Sequence, residues 1–178
     1  MQRVVVIGCA GSGKSTLCRE LAARTGLPLT ERDALGVMGS PEYRQALVGL
    51  ADQPAWILDG APYYEDDLIY AAADTVIVLD YPRWFVMWRV LRRTFAVEVL
   101  RRTVGAHRPG GFGAWRDRTH PLRWAWSSHP ERRREGREVM QRADLADSAI
   151  WHFRRASCAR DWGRASTASS EGGRRVGW

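Results

Sequence analysis

The short motif at residues 8–15 reads GCAGSGKS and fits the pattern G-x-x-x-x-G-K-[ST]. Its glycines, Gly8, Gly11 and Gly13, let the backbone turn so tightly that successive N–H groups point into one concavity, where phosphate oxygens can bind. A helix that begins directly behind the loop adds the favourable partial charge of its N-terminus. The motif therefore predicts a loop that holds the phosphates of a nucleotide.

The polar side chains of this loop have separate expected tasks. Lys14 would reach the β- and γ-phosphates, and Ser15 would bind Mg²⁺ through its hydroxyl. Lys14 is the only lysine in the chain, in which every other basic residue is arginine. A slender ammonium fits between two phosphates where a planar guanidinium does not. This position is therefore expected to require lysine even in a chain that otherwise uses arginine. The residues expected to bind ATP in this loop are Gly8, Gly11, Ser12, Gly13, Lys14, Ser15 and Thr16.

The elements that must position this loop follow from the apolar pattern around it. Residues 3–8 form a β-branched run typical of a strand buried on both faces, and residues 15–24 have helical character up to Gly26. Further strands are predicted at 28–30, 56–59, 75–80 and 150–153. Strands that alternate with helices indicate βαβ units and a parallel sheet.

The second half of the chain is less regular. Residues 82–102 read as one long helix, apolar on one side and rich in arginine on the other. Residues 103–119, rich in Gly, Pro and Arg, read as a loop inside the domain. We expect one domain over residues 1–163 and a disordered tail over residues 164–178, which contain few core-forming residues.

Composition narrows the class of protein. The chain has 178 residues, a formal net charge of +7 and 45% hydrophobic residues, which suffices for one sizeable core. No apolar run reaches the length of a membrane-spanning helix, and neither the three cysteines nor the four histidines show metal-ligand spacing. Cys18 and Cys158 are expected to be buried. We expect a cytoplasmic protein that does not bind membranes. We also expect it to be a monomer or a homodimer.

The sequence resembles a known family in several segments beyond the loop. These are GCAGSGKSTLCRELAARTGLP, Asp33, WILDGA at 56–61, ADTVIVLDYPR at 73–83, and Arg89 with Arg92 and Arg93. Together they look like the adenylate-kinase-like P-loop kinases, with the DNA topology modulation proteins as the most similar branch. The resemblance implies a three-layer α/β/α fold with a five-stranded parallel sheet in the order 2-3-1-4-5, and a lid near residues 103–119.

Asp59 is the first candidate outside the loop. It ends a predicted strand and precedes Gly60, which places its carboxylate at the edge of the sheet where open α/β folds bind ligands. In the resembling kinases the matching Asp-Gly lies close to magnesium and the acceptor, so Asp59 is expected to act in catalysis and in metal binding. Asp80 also follows a strand, but the family pattern gives it a structural role.

Arginines supply the remaining candidates. Arg89 and Arg93 share one helical face, and the matching arginines of adenylate kinases stack on adenine and contact phosphates; Arg92 is a near equivalent. Arg116 and Arg118 are expected to close over the γ-phosphate and exclude water, and Arg108 and Arg123 are further candidates for this role.

The phosphate acceptor stays open at this point. Asp33 follows the second predicted strand, where related small-hydroxyl kinases place an acceptor-binding carboxylate that can serve as a base. A nucleoside monophosphate acceptor would instead need arginines such as Arg32 or Arg44. The branch usually has His-x-Asp where this chain has Glu31-Arg32-Asp33. The expectation is an ATP- and Mg²⁺-dependent phosphotransferase acting on a nucleotide or a small hydroxyl-bearing metabolite.

Tryptophans interleaved with arginines support a different class of protein. Aromatic rings can stack nucleic-acid bases while cations track phosphates, so a nucleic-acid-binding regulator that uses ATP as a switch is the alternative. The competing expectation is that these side chains pack the long helix against the lid and the core. The tryptophans concerned are Trp84, Trp88, Trp115, Trp124 and Trp126.

Overall fold

The computed structural model describes residues 1–61, 66–98, 121–142, 145, 148–166 and 176–177. The strands are β1 (Arg3–Gly8), β2 (Leu29–Glu31), β3 (Trp56–Asp59), β4 (Thr75–Leu79), β5 (Ala149–Phe153) and β6 (Val176–Gly177). The helices are α1 (Lys14–Thr25), α2 (Pro41–Ala51), α3 (Asp66–Ala72), α4 (Arg83–Glu98), α5 (Pro121–Met140) and α6 (Ala156–Ala165), and a 3₁₀ turn covers Arg32–Leu35.

The strands form one parallel sheet in the order β2-β3-β1-β4-β5-β6. The predicted five-stranded order 2-3-1-4-5 is confirmed, and the short strand β6 extends the sheet beyond β5. The register aligns Asp59 of β3 with Val6 of β1 and with Glu31 of β2. The carboxyl ends of these three strands therefore meet at one edge of the sheet, beside the glycine-rich loop.

Helices cover both faces of the sheet, which is why the central strands are apolar throughout. On one face, Val4, Val6 and Ile77 belong to a buried cluster completed by α1, α4, α5 and α6. On the other face, Val5 and Val76 belong to a second cluster completed by α2, α3 and the end of α5. Strands buried on both sides carry continuous β-branched runs rather than an alternating pattern.

Local signals set the ends of the first helices. Gly13 and Gly26 flank α1 with φ of 95° and 72°, a left-handed conformation that glycine adopts without steric cost. Ser40 caps α2 by accepting a hydrogen bond from the Tyr43 backbone N–H at 3.1 Å, and Pro41 occupies the first turn. Helix α1 thus begins within one residue of its predicted start.

No element is predicted for residues 121–140, which form α5 with Pro130 inside the helix. Proline cannot donate the hydrogen bond that an α-helix directs to the carbonyl four residues earlier, here that of Trp126. The guanidinium of Arg83 on α4 donates to that carbonyl instead, and it lies 3.5 Å from the centroid of the Trp126 ring. A contact between helices thus replaces the missing bond within the helix.

Other predictions fall partly or wholly outside the described residues. The lid at 103–119 and the end of the long helix at Arg102 lie outside them. Of the predicted tail, residues 164 and 165 complete α6 and residues 176–177 form β6, whereas 167–175 and 178 are not described. The domain boundary at residue 163 stays a prediction.

Two further observations concern cysteines and membranes. Cys18 is buried as expected, whereas Cys158 is only partly buried because its side of α6 packs at the margin of the core. Among the described helices, none combines the length and the apolar character required to cross a bilayer.

Candidate functional site

The glycine-rich loop packs directly against α4. A Cβ atom on Gly11 would lie 2.4 Å from Cγ2 of Val90, and one on Gly13 would lie 2.7 Å from Nη2 of Arg89. Both glycines also have positive φ, so a larger residue would be strained at either position. The sequence therefore needs glycine here both for the turn of the loop and for its close approach to the helix.

Lys14 begins α1 and turns back over the loop. Its Nζ donates a hydrogen bond to the carbonyl of Cys9 at 3.2 Å. Desolvation lowers the pKa of Lys14, and the nearby negative charge of Asp59 partly opposes that effect. A charged ammonium that has lost part of its hydration is stabilised when an anionic ligand binds next to it.

A cavity of about 330 Å³ opens on the side of the loop where β2 and β3 end. We call it the carboxylate cavity. It brings Lys14 and Ser15 together with Asp33 and Asp59, as the sequence predicts. Its full lining is Gly8, Ala10, Lys14, Ser15, Glu31, Arg32, Asp33, Met38, Asp59, Gly60, Ala61, Trp124, Ser128 and Arg132.

Asp59 also touches α1 behind the loop. Burial, together with the negative charge of Asp59 and a hydrogen bond to it, raises the pKa of the Cys18 thiol far above its ordinary range. Cys18 is therefore a neutral thiol that faces the carboxylate. Asp59 therefore lies near the first turns of α1, which also carry Lys14 and Ser15.

A second cavity, of about 450 Å³, lies on the opposite side of the loop between α1, α4 and α6. We call it the arginine cavity. Ser12, Gly13 and Thr16 form its floor, and Arg89 crosses it: Nη1 of Arg89 donates to the carbonyl of Ser12 at 3.1 Å. Tyr81, Phe85 and Trp88 supply aromatic walls, and burial raises the pKa of Tyr81 to about 12.

The arginine cavity differs from the prediction at one position. Arg92, rather than Arg93, lines it together with Arg89, although both Arg92 and Arg93 are exposed on α4. The reason is helical geometry, because the cavity lies toward the α6 side of α4. Arg160 on α6 is a third lining guanidinium that sequence reasoning missed, since its segment carries no motif. The role of Arg93 stays a prediction.

Asp80 occupies a separate network behind the loop. Its side chain is 7% exposed and binds Nε of Arg133 at 2.8 Å and Nε2 of His152 at 3.3 Å. Burial opposes its ionisation, but the hydrogen bond to His152 and the charge of Arg133 outweigh burial and lower the pKa of Asp80. These contacts agree with the expected structural role.

The tryptophans of α4 and α5 line a wide groove of about 970 Å³, which we call the tryptophan groove. Trp84, Trp88, Trp124 and Trp126 are each more than half exposed. For these four side chains the expectation of packing against the core is wrong, because they lie on the faces of α4 and α5 that turn away from the sheet. Trp115 and the lid, the other expected packing partner, lie outside the described residues. Arg123, expected near the γ-phosphate, is a helical residue that lines this groove.

Helix α5 contributes the residues that sequence reasoning did not assign to the site. Trp124, Ser128 and Arg132 follow one another at four-residue spacing and therefore share one helix face, which forms a wall of the carboxylate cavity. Their four-residue spacing is a sequence signal for a shared helix face, and Pro130 lies within the same helix. Arg116 and Arg118 lie outside the described residues, as do Arg108 and Trp115.

The loop geometry fits the phosphates of Mg-ATP. It has glycines with positive φ, a following helix N-terminus and a partly buried ammonium. Mg²⁺ in phosphate sites keeps several waters and takes only one or two protein carboxylates. Ser15 and Asp59, which both line the carboxylate cavity, would meet that need. The described residues contain no group of three or more acidic, His or Cys side chains that could hold a metal alone.

Comparison with known proteins places this geometry in a fold. No protein-family model and no curated protein matches the chain. Among solved structures, shikimate kinase from Acinetobacter baumannii in complex with shikimate has a TM-score of 0.53 and 15% identity, over 92% of this chain and 89% of that one. The chain has the fold of P-loop kinases.

Two further kinases match over similar lengths at lower scores. A sugar kinase from Janibacter has a TM-score of 0.48 and 19% identity, over 92% of this chain and 91% of that one. A gluconokinase from Sinorhizobium meliloti has a TM-score of 0.47 and 13% identity, over 92% and 87%. The fold statement rests on the similarity to shikimate kinase, and the chemistry is argued from this chain's own residues.

Proposed function

We propose that this protein is an ATP- and Mg²⁺-dependent phosphotransferase that acts on a nucleotide or a small hydroxyl-bearing metabolite. The observation that carries the proposal is that one glycine-rich loop lines two cavities: Lys14 and Ser15 line the carboxylate cavity, whereas Ser12, Gly13 and Thr16 line the arginine cavity. A kinase needs that arrangement, because donor and acceptor must approach the transferred phosphoryl group from opposite ends.

The arginine cavity is the proposed site of the nucleotide base and ribose. Arg89 offers a planar cation for stacking on a base, and its anchoring to the Ser12 carbonyl holds it in place. Arg92 and Arg160 are further cations there, and Arg93 is kept as a candidate on the outer side of α4. Gly8, Gly11, Ser12, Gly13, Lys14, Ser15 and Thr16 would hold the phosphates.

The carboxylate cavity is the proposed acceptor site. Ser15 and Asp59 would hold Mg²⁺, which when bound supplies positive charge against the β- and γ-phosphates. Lys14 neutralises charge that spreads over the phosphoryl oxygens during transfer. Arg116 and Arg118 are proposed to complete this neutralisation, as in the sequence-based prediction.

The reaction balances without a covalent intermediate on the protein. The acceptor hydroxyl oxygen forms a bond to the γ-phosphorus while the bond from that phosphorus to the β,γ-bridging oxygen breaks, and ADP leaves. Asp33 is proposed to accept the hydroxyl proton and to release it to water. Positioning and charge neutralisation therefore supply most of the catalysis.

The test is ADP release by purified protein with Mg-ATP across nucleoside monophosphates, nucleosides and small polyols. The expected result is release that depends on one class of acceptor and is lost in Lys14→Ala. ATP binding that no acceptor converts into faster turnover would contradict the proposal. Arg134→Ala is a suitable control, because Arg134 is exposed on α5 and pairs only with Glu138 at 3.5 Å among its described ion pairs.

The tryptophan groove favours a second candidate, a nucleic-acid-binding regulator that uses ATP as a switch. Exposed rings next to arginines can stack bases and contact phosphates. This candidate predicts single-stranded DNA or RNA binding that weakens steeply with salt and is reduced by Trp84→Ala and Trp88→Ala. Binding unaffected by these variants would contradict it.

A further inference from the structure

The carboxylate cavity has a particular balance of charge. Its described lining contains three basic side chains, Lys14, Arg32 and Arg132, and three acidic ones, Glu31, Asp33 and Asp59. In the proposed function, Lys14 and Asp59 serve the phosphates and Mg²⁺. The part of the cavity that remains for the acceptor therefore carries no net charge.

The two guanidinium groups on the acceptor side are already engaged by carboxylates. Nε of Arg32 donates to Oδ1 of Asp33 at 2.9 Å, and Nη1 of Arg132 donates to Oε2 of Glu135 at 2.8 Å. The phosphate of a nucleoside monophosphate is best held by guanidinium forks that make two hydrogen bonds to it. Such an acceptor would have to compete with both of these ion pairs.

Trp124 gives the cavity a flat apolar surface. Trp124 is 53% exposed. It lines both the carboxylate cavity and the tryptophan groove and therefore lies between them. Helix α5 is held against α4 by the bond from Arg83 to the Trp126 carbonyl, two residues beyond Trp124. The Trp124 side chain is thus carried on an anchored segment and is about half exposed.

Two polar side chains lie near the Trp124 ring. Ser128 is one helical turn further along α5, and Asp33 lines the same cavity. Ser128 is buried, and its hydroxyl donates to the Trp124 carbonyl at 2.6 Å, which leaves its oxygen able to accept. Asp33, on the opposite wall, has a side chain that is 81% exposed. A hydroxyl donor can therefore find an acceptor on either side of the ring.

From these four observations, and resting on the proposed kinase function, we propose that the acceptor is an uncharged ring-shaped polyol of the sugar or cyclitol class. Its C–H face would lie on Trp124, because polarised C–H groups are attracted to the negative face of an aromatic ring. Its hydroxyl groups would donate to Asp33 and to the Ser128 oxygen. Trp124 and Ser128 thereby become specificity-determining residues, and a nucleoside monophosphate is disfavoured as acceptor.

The experiment compares three classes of acceptor under the same Mg-ATP conditions. The neutral probes are D-glucose, D-ribose and myo-inositol, the anionic ring probe is D-glucuronate, and the nucleotide probes are AMP and CMP. We expect at least one neutral probe to give a kcat/KM about tenfold or more above every anionic probe. A higher kcat/KM for AMP, CMP or D-glucuronate would overturn the inference while leaving the proposed kinase intact.

Failure of the proposed function itself has a different signature. In that case no probe of any class would raise ADP release above the level of Lys14→Ala, which would overturn both proposals together. The substitution Trp124→Leu then separates stacking from mere folding. We expect it to raise KM for the preferred neutral probe roughly tenfold with little change in KM for ATP, and Trp124→Phe to restore most of the loss.

Trp84→Leu is the matched control for this substitution. Trp84 is 72% exposed and lines the tryptophan groove without lining the carboxylate cavity. We expect it to leave KM for the neutral probe unchanged. Equal effects of Trp84→Leu and Trp124→Leu, or no effect of Trp124→Leu on KM, would show that the Trp124 ring is not the stacking surface.

Discussion

The Nη1 atom of Arg89 donates to the carbonyl of Ser12 at 3.1 Å, so that a guanidinium from α4 lies on the glycine-rich loop. The same guanidinium lies over Gly13, where a Cβ atom would be 2.7 Å from Nη2. The loop and α4 are therefore one unit. Its glycines serve the fit of Arg89 and Val90 as much as the turn itself.

Removing this guanidinium should weaken nucleotide binding. In Arg89→Ala we expect a loss of about 1.5–3 kcal/mol of binding free energy, roughly 10- to 150-fold in Kd for ATP, because a charged hydrogen-bonding group is lost. Isothermal titration calorimetry measures it. Arg92→Ala should weaken binding more than Arg93→Ala, since Arg92 lines the cavity and Arg93 does not; the reverse order would contradict the assignment.

Lys14 should lower the stability of the protein when no nucleotide is bound. Desolvation lowers its pKa, so the folded state disfavours the charged form that is present at neutral pH. We expect Lys14→Met to raise the free energy of unfolding by ~1 kcal/mol and Tm by roughly 2–4 °C without nucleotide, while abolishing the Tm increase caused by Mg-ATP. The gain should shrink as pH rises from the folded-state pKa of Lys14 toward its unfolded value near ~10.4.

Thermal unfolding at several pH values provides the measurement. A Lys14→Met protein that is less stable than the parent at pH 7 would contradict the conclusion that the lysine is held at a cost. Arg134→Met is a useful comparison, because Arg134 is mostly exposed and should change Tm little.

Arg83 and Pro130 should be energetically coupled. Arg83→Ala leaves the Trp126 carbonyl without its donor and removes the cation from the Trp126 ring, so we expect a loss of about 1–3 kcal/mol in unfolding free energy. In the Pro130→Ala background the alanine N–H can restore the bond within α5, and the loss should be smaller. A double-mutant cycle by urea unfolding tests this, and additive losses would exclude the compensation.

The Asp80 network should make stability depend on pH in the acid range. Because the pKa of Asp80 is lowered in the folded state, its contribution is fully present above its unfolded value of about 3.9 and is lost as pH falls through the folded value. Between about pH 5 and pH 3, the parent should therefore lose more stability than Asp80→Asn. Urea unfolding across this range measures the difference.

A matched control for that series is Asp161→Asn, because Asp161 is exposed on α6. We expect its pH dependence to follow that of the parent. Identical acid profiles for Asp80→Asn and the parent would show that Arg133 and His152 do not stabilise the ionised form of Asp80.

The sequence predicts the central strands β1 and β4 well because they are short, buried and rich in β-branched residues. Val4 to Ile7 and Val76 to Leu79 leave no alternative to a central parallel strand, and the loop motif fixes what lies at their ends. Asp33 and Asp59 could be placed beside Lys14 for that reason. Strand order came from resemblance, since no local pattern specifies it.

The cavity-lining residues that could not be predicted from the sequence lie on helices whose formation or orientation depends on tertiary contacts. Helix α5 contains Pro130 and is completed by Arg83, which lies 47 positions earlier in the chain. Trp124, Ser128 and Arg132 could not be assigned to a cavity until that helix was recognised. Likewise, the choice of Arg92 over Arg93 depends on how α4 is rotated against α6, which helical periodicity alone leaves open.

The most direct test of the central claim follows the γ-phosphoryl group itself. The purified protein would be incubated with Mg-ATP labelled at the γ-phosphate and with a mixture of neutral ring polyols and nucleoside monophosphates. The labelled products would then be separated from inorganic phosphate. The account predicts a labelled phosphate ester that forms with the parent protein and is absent with Lys14→Met. Labelled inorganic phosphate alone, or an ester that forms equally with both proteins, would contradict it.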